Sequence, residues 1–136
     1  MSFFNIKKFS IPHSTEITED RVALGKQLFN DKSLSSTGNI SCASCHHKEK
    51  AFTDGLEKAK GIGNVELQRN TPTLSYAVYQ KTMFYDGRAT GLEDQIVNVV
   101  NDKNEFHLDL NSLEKRIKDN AFYVQQFDSL YNGEVS

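Results

Sequence analysis

Both cysteines of the chain and two of its four histidines lie in one stretch, SCASCHHKEKAFTD, which runs from Ser41 to Asp54. Cys42 and Cys45 are two residues apart, and His46 follows at once. Three chemistries use such a spacing. A thioredoxin-like dithiol uses C-x-x-C next to a βαβ pattern, and no such pattern surrounds this one. A structural zinc site wants four protein ligands, and here there is one C-x-x-C with no second pair. His13 and His107 lie far off in sequence, without partner spacing. The third chemistry is covalent haem attachment, which reads as C-x-x-C-H. On a helical turn, residues i and i+3 share a face, so both sulfurs meet one porphyrin edge. The following imidazole then lies under the iron as proximal ligand. Haem is favoured over the other two. His47, next to that ligand, cannot easily reach the same iron and reads as a surface or hydrogen-bonding histidine.

The elements that must carry this motif are short. Thr18 is an N-cap, with Glu19 and Asp20 placed to suit the helix dipole. Val22, Leu24, Leu28 and Phe29 give the helix that follows an apolar face. Residues 31–39 are rich in Ser, Thr and Gly and predict a loop. Ser41 caps a short helix through the cysteines. Residues 55–70 predict a loop containing Gly61 and Gly63. Thr71-Pro72 predicts a helix start, with proline at the first helical position and Leu74, Ala77 and Val78 on its face. A turn at YDGRAT comes next. Thr90 caps a helix with Leu92, Ile96, Val99 and Val100 on one side. Asn111 opens another, carrying Leu113 and Ile117. Asn120 opens the last, carrying Phe122, Phe127, Leu130 and Tyr131 and ending near Gly133. Residues 3–14 read as an extended arm.

The expected fold is all-α: one domain over residues 1–136, of short helices joined by long loops. As a plain bundle it is underfilled, and a large apolar prosthetic group would supply the missing core. The composition is ordinary, with 38% hydrophobic and 25% charged residues and a net charge of -2. That balance points away from nucleic acid. No apolar run is long enough to span a bilayer. Residues 1–10 have no apolar h-region, so no signal peptide is read. Two cysteines are too few for a disulfide framework.

The stretch VALGKQLFNDKSLSSTGNISCASCHHKEKAFTDG closely resembles the start of the bacterial di-haem cytochrome c peroxidase family. The resemblance continues through RNTPTL, MFYDGRATGLEDQ and NEFHLD, and covers about residues 11–110. The ordered run of motifs is far more specific than C-x-x-C-H alone. Relatives of the family include the haem enzyme that matures a tryptophan-derived cofactor. The family has two cytochrome c-like domains with one haem each, and this chain is similar to the N-terminal, peroxide-reacting one. No second C-x-x-C-H is present in this sequence, so the C-terminal, electron-transferring haem domain is expected to be absent from it.

The resemblance implies one covalent haem c, held by Cys42 and Cys45 with His46 on the iron. It also implies a catalytic Glu105, an active-site Gln95 and a distal-side aromatic at Phe84. Asn70 matches a residue near the family's calcium, which would need ligands from a second domain. Hydrogen peroxide is the implied substrate, a small cytochrome or cupredoxin the electron donor, and the periplasm the location. Attachment needs machinery outside the cytoplasm, so a chain matured without it would lack haem.

Three positions depart from the family pattern. Tyr85 stands where many relatives have tryptophan, and Phe106 where methionine is usual. The loop Gly61-Ile62-Gly63-Asn64 has no histidine where some relatives carry a distal ligand. A different class of protein also fits the motif: a mono-haem electron-transfer cytochrome with Met83 as sixth ligand.

Overall fold

The computed structural model describes residues 17–132. The expected arm at residues 3–14, with His13, lies outside them. Five α-helices follow in order: α1 (Glu19–Asn30), α2 (Cys42–Cys45), α3 (Leu92–Asn101), α4 (Leu110–Lys118) and α5 (Ala121–Tyr131). Single 3-10 turns lie between them, at Lys32–Leu34, Lys48–Lys50, Ile62–Asn64 and Ala77–Tyr79. No strand forms among the described residues, so the expected all-α class holds.

Local capping explains most boundaries. The Thr18 hydroxyl accepts from the Arg21 N–H at 3.2 Å and starts α1. Asn120 does the same for α5 through the Phe122 N–H at 3.0 Å. α4 opens one residue before the expected Asn111, because Asp109 accepts from the Ser112 N–H at 2.9 Å. For α3 the N-cap is Gly91 rather than Thr90. The Asp94 carboxylate reaches back to the Thr90 N–H at 3.0 Å, as acids in a first turn do. α5 stops at Tyr131, where Asn132 takes the left-handed conformation.

The helix expected after Thr71-Pro72 does not form. Only the turn Ala77–Tyr79 appears, behind a left-handed Tyr76 at φ 62°. The segment is instead tied to the loop after His46: the Thr71 hydroxyl donates to Asp54 and the Thr73 hydroxyl to the Ala51 carbonyl.

Two apolar clusters hold the helices. Leu24, Leu34, Ile117 and Tyr123 form the first, flanked by Leu28, Phe127, Leu130 and Tyr131. Val100, Phe106 and Leu108 form the second, with Val99 and Cys42 packed against it. Leu113 on α4 touches both. Three residues assigned to apolar faces are exposed instead: Val22, Ile96 and Phe122. On α5 it is Tyr123 that turns inward, and its hydroxyl donates to Asp31 at 2.6 Å. Arg116 of α4 ties down the loop after α1, donating to the carbonyls of Ser33, Ser35 and Ser36. The Ser36 N–H in turn reaches the Phe106 carbonyl at 2.9 Å.

The long stretch between α2 and α3 consists of loops pinned at their bases by antiparallel bridges: His47 to Thr53, Lys60 to Glu66, and Met83 to Ala89. The second loop packs tightly. The Ile62 N–H donates to the Asn104 carbonyl at 2.8 Å. A Cβ placed on Gly61 would stand 1.8 Å from that same oxygen. Glycine is required here for close approach of two backbones. Gly61→Ala should therefore cost about 2–3 kcal/mol, in the overpacking range, read from the urea-unfolding midpoint. A change within about 0.5 kcal/mol, the scale of an ordinary surface substitution, would show that the contact is not made.

Candidate functional site

The C-x-x-C-H segment is built by α2. The buried Ser41 N–H donates to the Ser44 hydroxyl at 3.0 Å, and the His46 N–H closes the turn on the Cys42 carbonyl at 2.9 Å. Cys42 and Cys45 are both free thiols. As positions i and i+3 of one turn they share a face. Burial pushes the Cys42 thiol up, with further contributions from the charges of Cys45 and Glu105. The Cys45 thiol is raised by burial, then by the charges of Asp54 and Glu105.

His46 is oriented by the loop that follows it. Its Nδ1 lies 2.8 Å from the Phe52 carbonyl. A carbonyl only accepts, so Nδ1 carries the proton and Nε2 keeps its lone pair for a metal. The ring packs beside Phe29 of α1, whose centroid is 6.3 Å away, and Phe29 meets Phe52 edge-on at 6.4 Å. His47 bonds the Ser44 carbonyl through Nε2 at 3.0 Å and faces Glu49 at 3.5 Å. It is a hydrogen-bonding histidine at the surface, as expected.

Glu105 lies in the loop between α3 and α4. The neighbouring Phe106 belongs to the cluster against which Cys42 packs. Burial, reinforced by the nearby charge of Asp102 and opposed by Arg88, pushes the Glu105 carboxyl from 4.5 up to about 7. Its charge contributes to the raised thiols of both cysteines. Arg88 connects it to another expected residue: the guanidinium lies 3.3 Å from the centre of the Phe84 ring and pairs with Asp86 at 3.0 Å. Phe84 is held in the left-handed region at φ 61°, at the base of the third loop.

Gln95, on α3, has a buried side-chain oxygen with no hydrogen-bond partner. Such an oxygen is costly unless a ligand or water completes it. No direct bond joins Gln95 to Glu105; what they share is attachment to the second cluster, through α3 and Phe106. Asn70 is exposed, bonds only the neighbouring Thr71 carbonyl, and belongs to no acidic cluster among the described residues. Met83 is buried, and its N–H bonds the Ala89 carbonyl at 2.8 Å. Tyr85 is 89% exposed, under the Arg69 guanidinium.

The donor set fits a covalently bound haem. Two free thiols share one turn, an imidazole keeps Nε2 available, and a buried amide oxygen is without a partner. The family profile described as di-haem cytochrome c peroxidase matches residues 19–136. The chain belongs to this family. It is 35% identical over 127 residues to the methylamine utilization protein MauG of Methylorubrum extorquens, covering 92% of this chain and 36% of that protein. It is 38% identical to the cytochrome c peroxidase Ccp of Escherichia coli over 85 residues, which cover 62% of this chain and 18% of that one. Among solved structures, a MauG-like protein associated with microbial copper homeostasis superposes with a TM-score of 0.82 at 26% identity. The match covers all of this chain and 42% of that one. The di-haem peroxidase BthA of Burkholderia thailandensis gives 0.73 at 26% identity, covering 87% of this chain and 34% of that one.

The resemblance read in the sequence is thus correct, and so is the cytochrome c-like, all-α architecture. The chain spans about a third of the length of the MauG relative. Membership makes it part of an oxidoreductase family that binds haem c. Among the described residues no helix is long and apolar enough to cross a membrane. Sequence reasoning placed Phe29 on an apolar face without its contact to His46, and missed the Phe52 carbonyl and the buried Asp54–Thr71 pair. Asp54-Gly55 is a turn signal, and nothing in that signal indicates burial.

The raised Glu105 pKa carries a stability signature. The folded chain holds this proton up to about pH 7, whereas an ordinary carboxyl loses it near 4.5. Between those values the folded state binds more protons than the unfolded one, so stability from this group is present at low pH and lost as pH rises. Thermal unfolding of Glu105→Gln should therefore gain on the parent as pH rises from about 4.5 to about 7. A difference that stays constant across this window would show that Glu105 is not held in its protonated form.

Proposed function

We propose that this chain is the peroxide-reacting haem domain of a cytochrome c peroxidase-like oxidoreductase, working in the periplasm with a second haem domain. The observation that carries the reading is Glu105: a half-buried carboxyl, raised to about 7, next to Phe106 of the cluster against which Cys42 packs. General acid–base catalysis is most effective when the group's pKa lies near the working pH. Near neutrality Glu105 exchanges its proton readily. It can take a proton from one oxygen of hydrogen peroxide and return it to the other, which then leaves as water.

In this reading Cys42 and Cys45 hold the haem through thioether bonds, and His46 Nε2 binds the iron. The bound haem supplies the iron that takes up peroxide and the electrons that reduce it. Gln95 offers its unpartnered oxygen to an O–H of the substrate and orients it. Phe84 provides an apolar wall on the same side. Electrons arrive from the second haem domain, fed by a small cytochrome or cupredoxin. Calcium binding would depend on ligands from that second domain. The relatives carry both peroxidase and methylamine-utilization names. Glu105 and Gln95 support the peroxide reading, because a proton carrier and an unpartnered buried amide oxygen suit a small O–O substrate.

The test uses protein matured in an export-competent host and carrying covalent haem. Glu105→Gln keeps the shape and removes the base. It should leave the haem spectrum nearly unchanged and slow single-turnover reaction with hydrogen peroxide by about 10²-fold or more. A variant that reacts as fast as the parent would make Glu105 a bystander and remove the main support for the peroxidase reading.

A further inference from the structure

We propose that Asp54 and Thr71 form a buried latch that positions His46, so that both act as positioning residues for the iron ligand; this rests on the haem reading of Cys42, Cys45 and His46. The loop after His46 has to return its chain within seven residues. The His47 N–H donates to the Thr53 carbonyl at 3.1 Å, and the Phe52 N–H to the His47 carbonyl at 2.8 Å. To close this way, Ala51 and Phe52 both adopt left-handed backbone, at φ 54° and 60°. Two consecutive non-glycine residues in that region persist only where the surroundings hold them. The reward of the conformation is that the Phe52 carbonyl faces His46 Nδ1 at 2.8 Å.

The restraints come from the segment after the second loop. The Thr73 hydroxyl donates to the Ala51 carbonyl at 2.5 Å. The Thr71 hydroxyl donates to Asp54 Oδ2 at 2.9 Å, while Asp54 Oδ1 accepts from the Leu56 N–H at 3.0 Å. Asp54 is 7% exposed and Thr71 5%. A polar side chain so buried needs partners for its oxygens, and both oxygens of Asp54 have one. Lys50 folds back onto the Asp54 main-chain carbonyl at 2.8 Å, which fastens the far side of the same loop. From the latch to the imidazole the path is three backbone residues: Asp54, Thr53 and Phe52. Hydrogen bonding at Nδ1 sets the tautomer and ring orientation of a metal-bound histidine and raises the basicity of its other nitrogen. A shift of the Phe52 carbonyl is therefore felt at Nε2. The lost helix after Thr71-Pro72 has a reason in this arrangement: its threonines serve the His46 loop instead.

The haem-loaded parent, Thr71→Val, Thr71→Ser and Thr73→Val test this. Intact mass gives covalent haem content. Resonance Raman of the ferrous form gives the iron–histidine stretch, and a redox titration gives the midpoint potential. Thr71→Val should weaken the Nδ1 hydrogen bond, lowering the stretch and shifting the potential upward, since a less basic histidine favours ferric iron less. Thr71→Ser should restore both. Thr73→Val, at an exposed position, should shift them the same way and serves if Thr71→Val does not fold. Valine variants with the parent's stretch and potential would overturn the latch, whatever their stability. A parent without covalent haem would instead overturn the haem reading, and the latch with it.

Discussion

The hydrogen bond between His46 Nδ1 and the Phe52 carbonyl decides which nitrogen of the imidazole is free. Much of the chain around it is arranged to keep that bond. α2 delivers His46 at the end of its single turn, with Cys42 and Cys45 on a common face. α1 packs against α2 and lays Phe29 beside both the ring and Phe52. The loop between the two partners accepts unfavourable backbone geometry to close. A site that needs one imidazole nitrogen and two sulfurs in fixed relation cannot be left to a flexible connection. The capped helices and bridged loops meet that requirement with few residues.

A second constraint acts on the other half of the site. In the proposed function Glu105 carries a proton, and its half-buried place with little compensating charge suits that role. Its loop is held on both sides. The Gly61 turn touches the Asn104 carbonyl from one side, and Ser36, fixed by Arg116, holds the Phe106 carbonyl from the other. No large apolar side chain among the described residues is wholly hidden, and Ile96, Leu56 and Val65 remain exposed. Such a thin core is what a domain organised around an apolar prosthetic group leaves in its polypeptide.

The sequence was legible where short-range chemistry decides structure. Thr18 and Asn120 could be read as helix starts because each supplies its own cap within three residues, and Ser41 because Ser44 reaches back to its N–H. The turn of C-x-x-C-H was legible for the same reason: both cysteines and the histidine lie within one turn of helix and its C-cap. The helix expected at Thr71-Pro72 is absent: Tyr76 turns left-handed at φ 62°, and the Thr71 hydroxyl ties the segment to Asp54, seventeen residues away. Val22, Ile96 and Phe122 obey a helical period and are still exposed, since periodicity marks a face without saying what lies opposite it. The pairing of Phe52 with His46, and of Gly61 with Asn104, depends on loop closure that no local pattern encodes. Glu105 and Gln95 were reached through resemblance, because neither an isolated acid nor an isolated amide announces its burial.

In the proposed function His46 would bind the haem iron, and the chain would supply no strong second ligand. The Gly61–Asn64 loop offers no histidine for that place, and the rival ligand is Met83. The most direct measurement is the electronic spectrum of the ferric, haem-loaded protein before and after adding cyanide. A high-spin resting spectrum that turns low-spin promptly with cyanide is the predicted result. A low-spin resting spectrum with a weak red charge-transfer band, slow to take cyanide and lost in Met83→Ala, would contradict the account and make the protein an electron-transfer cytochrome.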